Sequence, residues 1–349
     1  MKNNTAIGID LAKRVFQVCL VDIQHRRVRT NKELKRSELL DFMRRQPACQ
    51  VFMEACGGAH YWARQLGAMG HQVQMISPQF VKPFRKGHKT DANDALAIVE
   101  AGLRPDMRFV PLKGLDQQDI QSLHRIRDLY VKQRTQLINQ THGLLQEYGI
   151  VSGRGQKALR STLWRALEDG DNELSALMRE LLVEQVKELD RLNDAIDTLD
   201  KRVQQLSRSL APCRELMAIE GIGPVVATQL YSALGNGNAF SKGRQVSAWL
   251  GLTPRQNSSG GTVTLTGIGR TGQIPLKAAL IRGAHAVLQT LGDKQDAKSR
   301  WLRALISRSG KNKAAVALAN KTVRTAWAVL HRGQSYCRDF NGDLTLPQG

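Results

Sequence analysis

The sequence predicts an α/β domain over residues 1–112, a long-helical coiled-coil segment over 113–211 and a mainly α-helical domain over 212–349. Short apolar runs alternate with helical patterns in the first region, and leucines recur at heptad spacing in the second. Charge changes as well, because lysine and arginine exceed aspartate and glutamate by 8, 0 and 12 in the three regions. Three electrostatic characters in one chain indicate three separate tasks.

The first region has the pattern of a sheet whose strands end in acidic residues. Strands are predicted at 5–10 and 15–22, with Lys13 and Arg14 in the turn between them, and an exposed strand around 25–32. The next predicted elements are a helix at 37–45, a strand at 51–54, a helix at 61–69, a strand at 72–77 and a helix at 91–101. Such alternation is typical of a sheet covered by helices.

The second region carries an apolar seam that alternates steps of three and four residues, as coiled coils do. Its members are Leu189, Leu192, Ile196, Leu199, Val203, Leu206 and Leu210. An earlier helix is predicted over 116–147, with a turn in the glycine-containing stretch 149–155. An antiparallel hairpin within one chain and a seam between two subunits both fit this pattern.

The third region begins with a glycine-rich turn at 221–224, before a helix at 225–234. An apolar helix at 245–250 and a Gly/Ser/Thr-rich loop at 253–272 follow. Helices in a basic background are predicted for the remainder, at 276–291, 301–307 and 313–330.

The composition favours nucleic acid as the partner. The formal net charge is +20 and the pI is about 10.1, values that favour binding to a polyanion. A membrane is disfavoured because no apolar run approaches the roughly 20 residues needed to span one. With 5% aromatic residues, we expect base stacking not to dominate binding. Five scattered cysteines show neither disulfide nor zinc spacing, so we expect reduced thiols and a cytoplasmic protein, associated with the nucleoid when active.

Four carboxylates stand out in this basic chain. Asp10 and Glu54 each close an apolar strand, and Asp91 and Asp94 share one face of a predicted helix. Phosphodiester chemistry with two metal ions needs carboxylates on rigid elements, and Mg²⁺ prefers such oxygen ligands. Each acid alone would be interpreted as a turn or surface residue. Together they predict a magnesium site of the kind that an RNase H-like fold assembles.

A second candidate site surrounds Ser259 in the loop 251–261. A serine flanked by glycine can bring its hydroxyl close to a phosphodiester, and it can act as a nucleophile if its proton is taken up. A flexible Gly/Ser turn is the alternative interpretation. Nearby Arg255, Arg270 and Lys277 would contact phosphate in either case.

Further phosphate contacts are predicted at glycines and lysines. Gly221 and Gly223 precede a helix whose free N–H groups could bind the DNA backbone, with a plain helix–helix turn as the alternative. Lys13, Lys86 and Lys89 lie in turns beside the predicted acids. The histidines show no metal-ligand spacing.

Together these motifs resemble the DEDD-type insertion-sequence transposases, the RNA-guided bridge recombinases, over nearly the whole chain. The similar strings are 7–10, 53–55, 89–95, 221–224, 248–255 and 258–261. The first three look like that family's RuvC-like amino-terminal domain, which has the RNase H fold. The last three look like its carboxy-terminal transposase domain.

The resemblance implies roles that composition could not show. The four acids would form a metal-binding tetrad, and Ser259 would become covalently joined to DNA, with Ser258 as the neighbouring alternative. The family also binds a structured noncoding guide RNA whose loops pair with donor and target DNA. Its coiled coil serves assembly of the homo-oligomer, a dimer and, in the synaptic complex, a tetramer.

Three functions are compatible with these features. The first is a transposase that excises and inserts its element through serine-linked strand exchange with Mg²⁺. The second is a metal-dependent, structure-selective nuclease, similar to a Holliday-junction resolvase, in which water attacks. The third is a non-catalytic nucleic-acid-binding scaffold whose acids are structural. We favour the first, because four acids and a Ser-Gly-Gly loop occur in one basic chain that resembles this family.

Overall fold

The computed structural model describes residues 4–269 and 272–337. The chain divides into two units, Met1–Gly114 and Leu115–Gly349. The first unit is mixed α/β with a central sheet and the second is mostly helical, which confirms this part of the predicted architecture. Arg270, predicted to contact phosphate, lies outside the described residues.

A six-stranded sheet forms the centre of the first unit. Its strands are β1 (Thr5–Leu11), β2 (Val15–Asp22), β3 (Arg27–Lys35), β4 (Gln50–Glu54), β5 (Gln72–Ile76) and β6 (Phe109–Val110), arranged in the order β3-β2-β1-β4-β5-β6. β1 pairs parallel with β4, and β4 pairs parallel with β5. The other pairs are antiparallel.

Four helices cover this sheet: α1 (Leu39–Arg44), α2 (Ala59–Ala68), α3 (Pro78–Val81) and α4 (Asp91–Gly102). A 3₁₀ turn at Lys82–Phe84 follows α3. The pattern predicts neither α3 nor β6. Pro78, which ends the strand predicted at 72–77, is also suited to the first turn of a helix, and the two residues of β6 are too few to show a period.

The sheet buries side chains alternately on its two faces. Ile9 and Phe16 belong to a core that includes residues of α1 and α2. Ala6, Cys19 and Phe52 belong to a second core, which α4 covers. The two cores fix which strand residues can meet α4 and which cannot.

Helix α4 lies unusually close to the sheet. A Cβ atom added to Gly8 of β1 would stand 2.4 Å from the carbonyl oxygen of Ala95 and 2.5 Å from Val99 Cγ2. One added to Gly102, at the end of α4, would stand 2.3 Å from the ring of Phe52. Real Cβ atoms do not approach that closely, so both glycines are required by packing.

Eleven elements form the described part of the second unit. They are α5 (Leu115–Glu147), α6 (Gln156–Glu168), α7 (Ala176–Ser209), α8 (Ala211–Met217), α9 (Pro224–Leu234), α10 (Gly243–Trp249), β7 (Pro254–Ser259), β8 (Thr262–Ile268), α11 (Ile274–Gln289), α12 (Ala297–Ser309) and α13 (Lys311–Arg332). None of the helices in the described parts of the chain is both long and apolar enough to qualify as a membrane span.

The long helices α5 and α7 pack antiparallel within one chain. Arg127 of α5 forms a two-pronged ion pair with Asp200 near the end of α7. Arg134, two turns further along α5, donates to Asn193 Oδ1 at 3.2 Å. The structure therefore shows an intramolecular helix pair, with α6 inserted after the predicted turn. A coiled coil between subunits stays a prediction.

The prediction of a loop at 253–272 is wrong. Most of this segment forms a two-stranded antiparallel hairpin of β7 and β8, with Ser259 paired to Thr262. Glycine, serine and threonine suggested a loop, but the alternation of Val263 and Leu265 with threonines is a strand pattern.

Candidate metal centre and serine hairpin

Two acids stand at the carboxyl ends of neighbouring parallel strands. β1 and β4 are in register with Ile9 beside Met53, so the next residues, Asp10 and Glu54, follow side by side. Asp10 shares its face of the sheet with Gly8, since alternate residues of a strand point the same way. That face is the one that α4 covers.

Thr90 determines where α4 begins. Its backbone is extended, and its side-chain oxygen accepts a hydrogen bond from the backbone N–H of Asn93 at 3.3 Å, which is the arrangement of an N-cap. Asp91 and Asp94 therefore lie in the first turn, where the helix dipole favours negative charge.

Three of the four predicted carboxylates converge. One oxygen each from Asp10, Asp91 and Asp94 lies within 4.8 Å of the other two. Glu54 is outside this group of three, although burial, together with the charges of Asp10 and Asp94, raises its pKa. The structure thus assembles an acidic cluster of Asp10, Asp91 and Asp94 and leaves Glu54 beside it.

Burial and mutual repulsion raise the pKa of two of these acids. For Asp10, burial is the largest cause, followed by the charges of Asp94 and Asp91, while Lys89 opposes the rise. For Glu54, burial again contributes most and the neighbouring acids add to it. When a cation binds to a crowded group of carboxylates with raised pKa values, the repulsion between them decreases and the electrostatic free energy of the group falls.

Arg85 is a cation of this site that the sequence did not single out. Its Nη1 lies 3.4 Å from Asp94 Oδ1. The charge of Arg85 also lowers the pKa of Glu54, and Lys89 acts in the same direction. These cations offset part of the negative charge, while burial and the neighbouring acids keep the pKa values of Asp10 and Glu54 raised.

The donor set suits a hard divalent cation. Mg²⁺ binds carboxylate oxygens at about 2.0–2.1 Å, so opposite ligands lie roughly 4 Å apart. One oxygen from each residue of the acidic cluster lies within 4.8 Å of the other two, which is close to that separation. The residues present therefore fit Mg²⁺, with Asp10, Asp91 and Asp94 as ligands and Glu54 alongside.

A chain of side-chain hydrogen bonds, which the sequence analysis missed, holds the first turn of α4. Gln17 Nε2 donates to Asn31 Oδ1 at 2.7 Å, and Asn31 Nδ2 donates to the carbonyl oxygen of Ala92 at 3.0 Å. Gln17 lies opposite Asp10 in the β1–β2 pairing. The chain thus connects the strand of Asp10 to the helix of Asp91 and Asp94. Only the register of three strands reveals it.

The three lysines predicted in this unit are exposed. Lys13 lies in the β1–β2 turn and Lys89 lies directly before α4. Lys86 pairs with Glu100 Oε1 at 3.2 Å. Their contact with nucleic acid stays a prediction.

Ser259 stands at the tip of the exposed β7–β8 hairpin. Gly260 and Gly261 form its turn with φ of +55° and +79°, which glycine adopts at little cost. The hydroxyl of Ser258 accepts a hydrogen bond from Gln256 Nε2 at 2.7 Å. Within residues 4–269 and 272–337, the hydroxyl of Ser259 has no hydrogen-bond partner.

The two faces of the hairpin differ in polarity. Ser258 pairs with Val263, so it shares a face with Val263 and Leu265, which are 62% and 64% exposed. Ser259 shares the opposite face with Asn257, two residues before it. Of the two faces, only the one that carries Ser259 is polar throughout, and the choice between Ser259 and Ser258 stays a prediction.

The predicted cations of the second unit differ in exposure. Arg255 is exposed on β7. Lys277, predicted to contact phosphate, is only 8% exposed, and its Nζ donates to the carbonyl oxygen of Gly269 at 2.6 Å. The Lys277 ammonium therefore stabilises the backbone just after β8. Lys277 is buried because it lies on the face of α11 that packs on the core.

The glycines at 221 and 223 have separate local roles. Gly221 has φ of +88°, and a Cβ there would stand 3.1 Å from the carbonyl oxygen of Gly283 on α11. Gly223 is the N-cap residue of α9. The close approach at Gly221 agrees with the packed-turn interpretation, and a phosphate contact at α9 stays a prediction.

Comparison with known proteins gives consistent matches along the chain. A family model described as transposase, of the DEDD type of IS110, matches residues 7–150, and one described as transposase of the IS116/IS110/IS902 family matches 213–302. A probable family 20 transposase of Pseudomonas aeruginosa is 47% identical over 96% of this chain and 99% of its own length. The transposase for insertion sequence element IS1111A of Coxiella burnetii is 41% identical over 96% and 92%. The transposase for IS1328 of Yersinia enterocolitica is 36% identical over 97% and 100%.

Proposed function

Because the chain belongs to the IS116/IS110/IS902 family of transposases, we propose that it excises and inserts a mobile element by strand exchange, with Ser259 as nucleophile and Mg²⁺ as cofactor. Family membership makes it a DNA-cleaving and strand-transferring enzyme. The observation that carries the magnesium part of the proposal is the convergence of Asp10, Asp91 and Asp94 within 4.8 Å, and the serine part rests on the exposed Ser-Gly-Gly tip of the β7–β8 hairpin.

Strands and a helix hold the four acids of the candidate metal site in place. Asp10 and Glu54 are fixed by adjacent strands, and Asp91 and Asp94 are fixed by the capped first turn of α4. Rigid supports of this kind keep ligands close to a productive geometry. Mg²⁺ bound there would stabilise the charge that develops on a scissile phosphate. The position of the four acids on one sheet edge and one helix end supports an RNase H-like fold for this unit.

Ser259 would carry the covalent step. Its Oγ attacks the phosphorus, a bond between Oγ and phosphorus forms, and the bond from phosphorus to the leaving oxygen breaks. The serine proton passes to solvent, and the leaving strand takes up a proton as a free hydroxyl. In strand joining, the hydroxyl of another strand attacks the same phosphorus and its proton passes to solvent, while the bond from phosphorus to Oγ breaks and Ser259 takes up a proton to become a hydroxyl again. Arg255, exposed on the same strand, would steady the phosphate charge.

Trapping the reaction tests this assignment. Labelled donor DNA is incubated with protein and Mg²⁺, stopped with denaturant and separated by size. We expect a covalent protein–DNA species with the wild type and with Ser258→Ala, and none with Ser259→Ala. An adduct that persists in Ser259→Ala contradicts the nucleophile assignment.

A metal-dependent nuclease without a covalent step is the second candidate. The acidic cluster favours it, because carboxylate-bound metal can direct water at a phosphodiester without any serine. The same experiment separates the two functions. The nuclease predicts cleaved DNA with no adduct in the wild type and unchanged cleavage in Ser259→Ala.

We also propose a structured noncoding guide RNA as partner. The family resemblance suggests it, and the excess of 12 positive charges in residues 212–349 supports binding of a large polyanion. Base pairing by the RNA would then select donor and target DNA, while the protein contacts shape and backbone. Sequencing the RNA that co-purifies with the protein tests this. A random mixture of cellular RNA contradicts it.

A further inference from the structure

Pairing of β2 with β3 gathers four cations at one end of the sheet. Val15 pairs with Lys35, and the backbone N–H of Arg36 donates to the carbonyl oxygen of Arg14 at 3.0 Å. Two Lys-Arg dipeptides, 13–14 and 35–36, therefore lie side by side although they are far apart in sequence. Like charges placed together cost free energy unless an anion joins them.

These four side chains line an open cavity of about 770 Å³, which we call the basic groove. Its lining includes Lys13, Arg14, Lys35 and Arg36 together with Tyr61 and Trp62. All four cations are exposed. In the described parts of the chain, none of the four forms an ion pair with a carboxylate. Glu38, the nearby acid, accepts from the backbone N–H of Lys35 at 2.9 Å.

Aromatic rings fix part of the groove. The guanidinium of Arg36 lies 5.1 Å from the ring centre of Trp62 and 5.6 Å from that of Phe16, distances typical of cation–π contacts. Tyr61 packs edge-on against Trp62 with ring centres 5.1 Å apart, yet it remains 44% exposed. The groove thus offers an oriented guanidinium beside an exposed aromatic ring.

The groove and the acidic cluster lie on opposite faces of the sheet. Phe16 and Trp62 belong to the core that includes α1 and α2, whereas α4 with Asp91 and Asp94 covers the other face. A phosphate in the groove is therefore not the phosphate at the candidate metal centre.

We propose that the basic groove binds a single strand of nucleic acid, with phosphates on its four cations and an unpaired base against Tyr61. An exposed ring beside cations suits a single strand, because a base can stack on it only when it has left a duplex. The inference rests on the proposed function in one respect, namely that the ligand is a nucleic acid. RNA and DNA strands share this chemistry, so the test includes both.

Binding is measured by fluorescence anisotropy with labelled 12-nucleotide RNA, 12-nucleotide DNA and 20-base-pair duplex DNA. For Arg14→Gln with Lys35→Gln, we expect the affinity for at least one single strand to fall about tenfold. The slope of log affinity against log salt should fall by about 1.4, since each lost phosphate contact removes about 0.7. The single strand with the larger loss identifies the ligand as RNA or DNA.

Tyr61 variants test the stacking contact separately. Tyr61→Ala should weaken single-strand binding about tenfold without changing the salt slope, and Tyr61→Phe should retain binding. A matched charge control is Arg26→Gln with Arg27→Gln, at the other end of the β2–β3 hairpin, which should leave both quantities near wild type. Thermal unfolding followed by circular dichroism checks that every variant is folded.

Two outcomes overturn the proposal. One is that the groove variants and the control pair lose the same affinity, and the other is that binding to the duplex falls as much as binding to the single strands. All measurements are made in EDTA, so that strand cleavage does not contribute. A failure of the catalytic assignment would leave the binding losses in place, which keeps the two proposals distinguishable.

Discussion

Burial and the charges of both other members of the acidic cluster raise the pKa of Asp10. Replacing it with Asn should abolish magnesium binding and lower strand cleavage by about a hundredfold or more, because several kcal/mol of transition-state stabilisation depend on the bound metal. In EDTA at pH 7, Asp10→Asn should unfold at a higher temperature than wild type, since one of three repelling charges is gone.

Thermal unfolding with and without Mg²⁺ measures magnesium binding independently of enzymatic activity. At a hundred times its dissociation constant, the metal should stabilise the wild type by about 2.7 kcal/mol and Asp10→Asn not at all. Asp106→Asn, an exposed acid of the same unit, serves as the control. An equal magnesium response in Asp10→Asn would remove this residue from the metal site.

His124 of α5 is a buried histidine that should make the second unit sensitive to acid. Its Nε2 lies 2.9 Å from Thr228 Oγ1, whose hydroxyl donates to the carbonyl oxygen of Pro224. The other ring nitrogen, Nδ1, is buried without a hydrogen-bond partner in the described structure. Burial, aided by Arg127 and opposed by Asp200, lowers the pKa of His124 to about 4.

The unfolding free energy should therefore fall as the pH drops from about 6.5 to 4. In that interval the unfolded chain binds a proton that the folded His124 refuses. The loss specific to His124 should reach roughly 3 kcal/mol. Urea unfolding at pH 7 and pH 4.5 measures it, and His124→Gln should show a smaller drop than wild type. His88→Gln, at an exposed position, should show the wild-type drop; if both variants behave alike, His124 is not the cause.

At the scale of elements, the packing of α4 on β1 decides whether the acids meet. Gly8→Ala would place a Cβ 2.4 Å from the carbonyl oxygen of Ala95, so α4 must move outward and carry Asp91 and Asp94 with it. We expect a loss of about 1–3 kcal/mol in unfolding free energy and a loss of the magnesium-induced thermal shift.

Gly67→Ala is the matched control. Gly67 lies in α2 with open space around its Cα, so alanine should be neutral or stabilise the helix by up to about 1 kcal/mol. Its magnesium response should equal that of wild type. If Gly8→Ala retains the full magnesium response, close packing of α4 does not position the acids.

Local patterns predicted those elements that carry a clear period. The strands of Asp10 and Glu54 and the helix of Asp91 lie where the apolar runs predict them. The two strand acids are close because each stands at the carboxyl end of one of two neighbouring parallel strands. The network through Asn31 could not be predicted, because it depends on the register of β2 with β3. The burial of Lys277 was also hidden, since a lysine in a basic segment gives no sign of facing a core.

At the scale of the whole molecule, the family resemblance predicts self-association, and α7 offers a surface for it. Leu177 and Leu181 are 66% and 50% exposed and lie four residues apart, so they share a helix face. We expect this pair of leucines to contribute to contact with a second copy if the chain self-associates through α7. Leu177→Glu with Leu181→Glu should shift the protein toward monomer in analytical ultracentrifugation.

Gln204→Glu with Gln205→Glu is the charge-matched control. It adds the same two negative charges to exposed positions of α7 and removes no apolar side chain. We expect the wild-type oligomer distribution for this variant. A monomer in both cases would attribute the effect to charge, and an oligomer in both would place the subunit contact elsewhere.

The β7–β8 hairpin gives the enzyme a built-in weak point. Two strands without a third neighbour are marginally stable in water, and glycine-rich tips are preferred cutting sites for proteases. A single cut between Gly260 and Gly261 would leave the chain in two pieces and separate Ser259 from the strand that supports it.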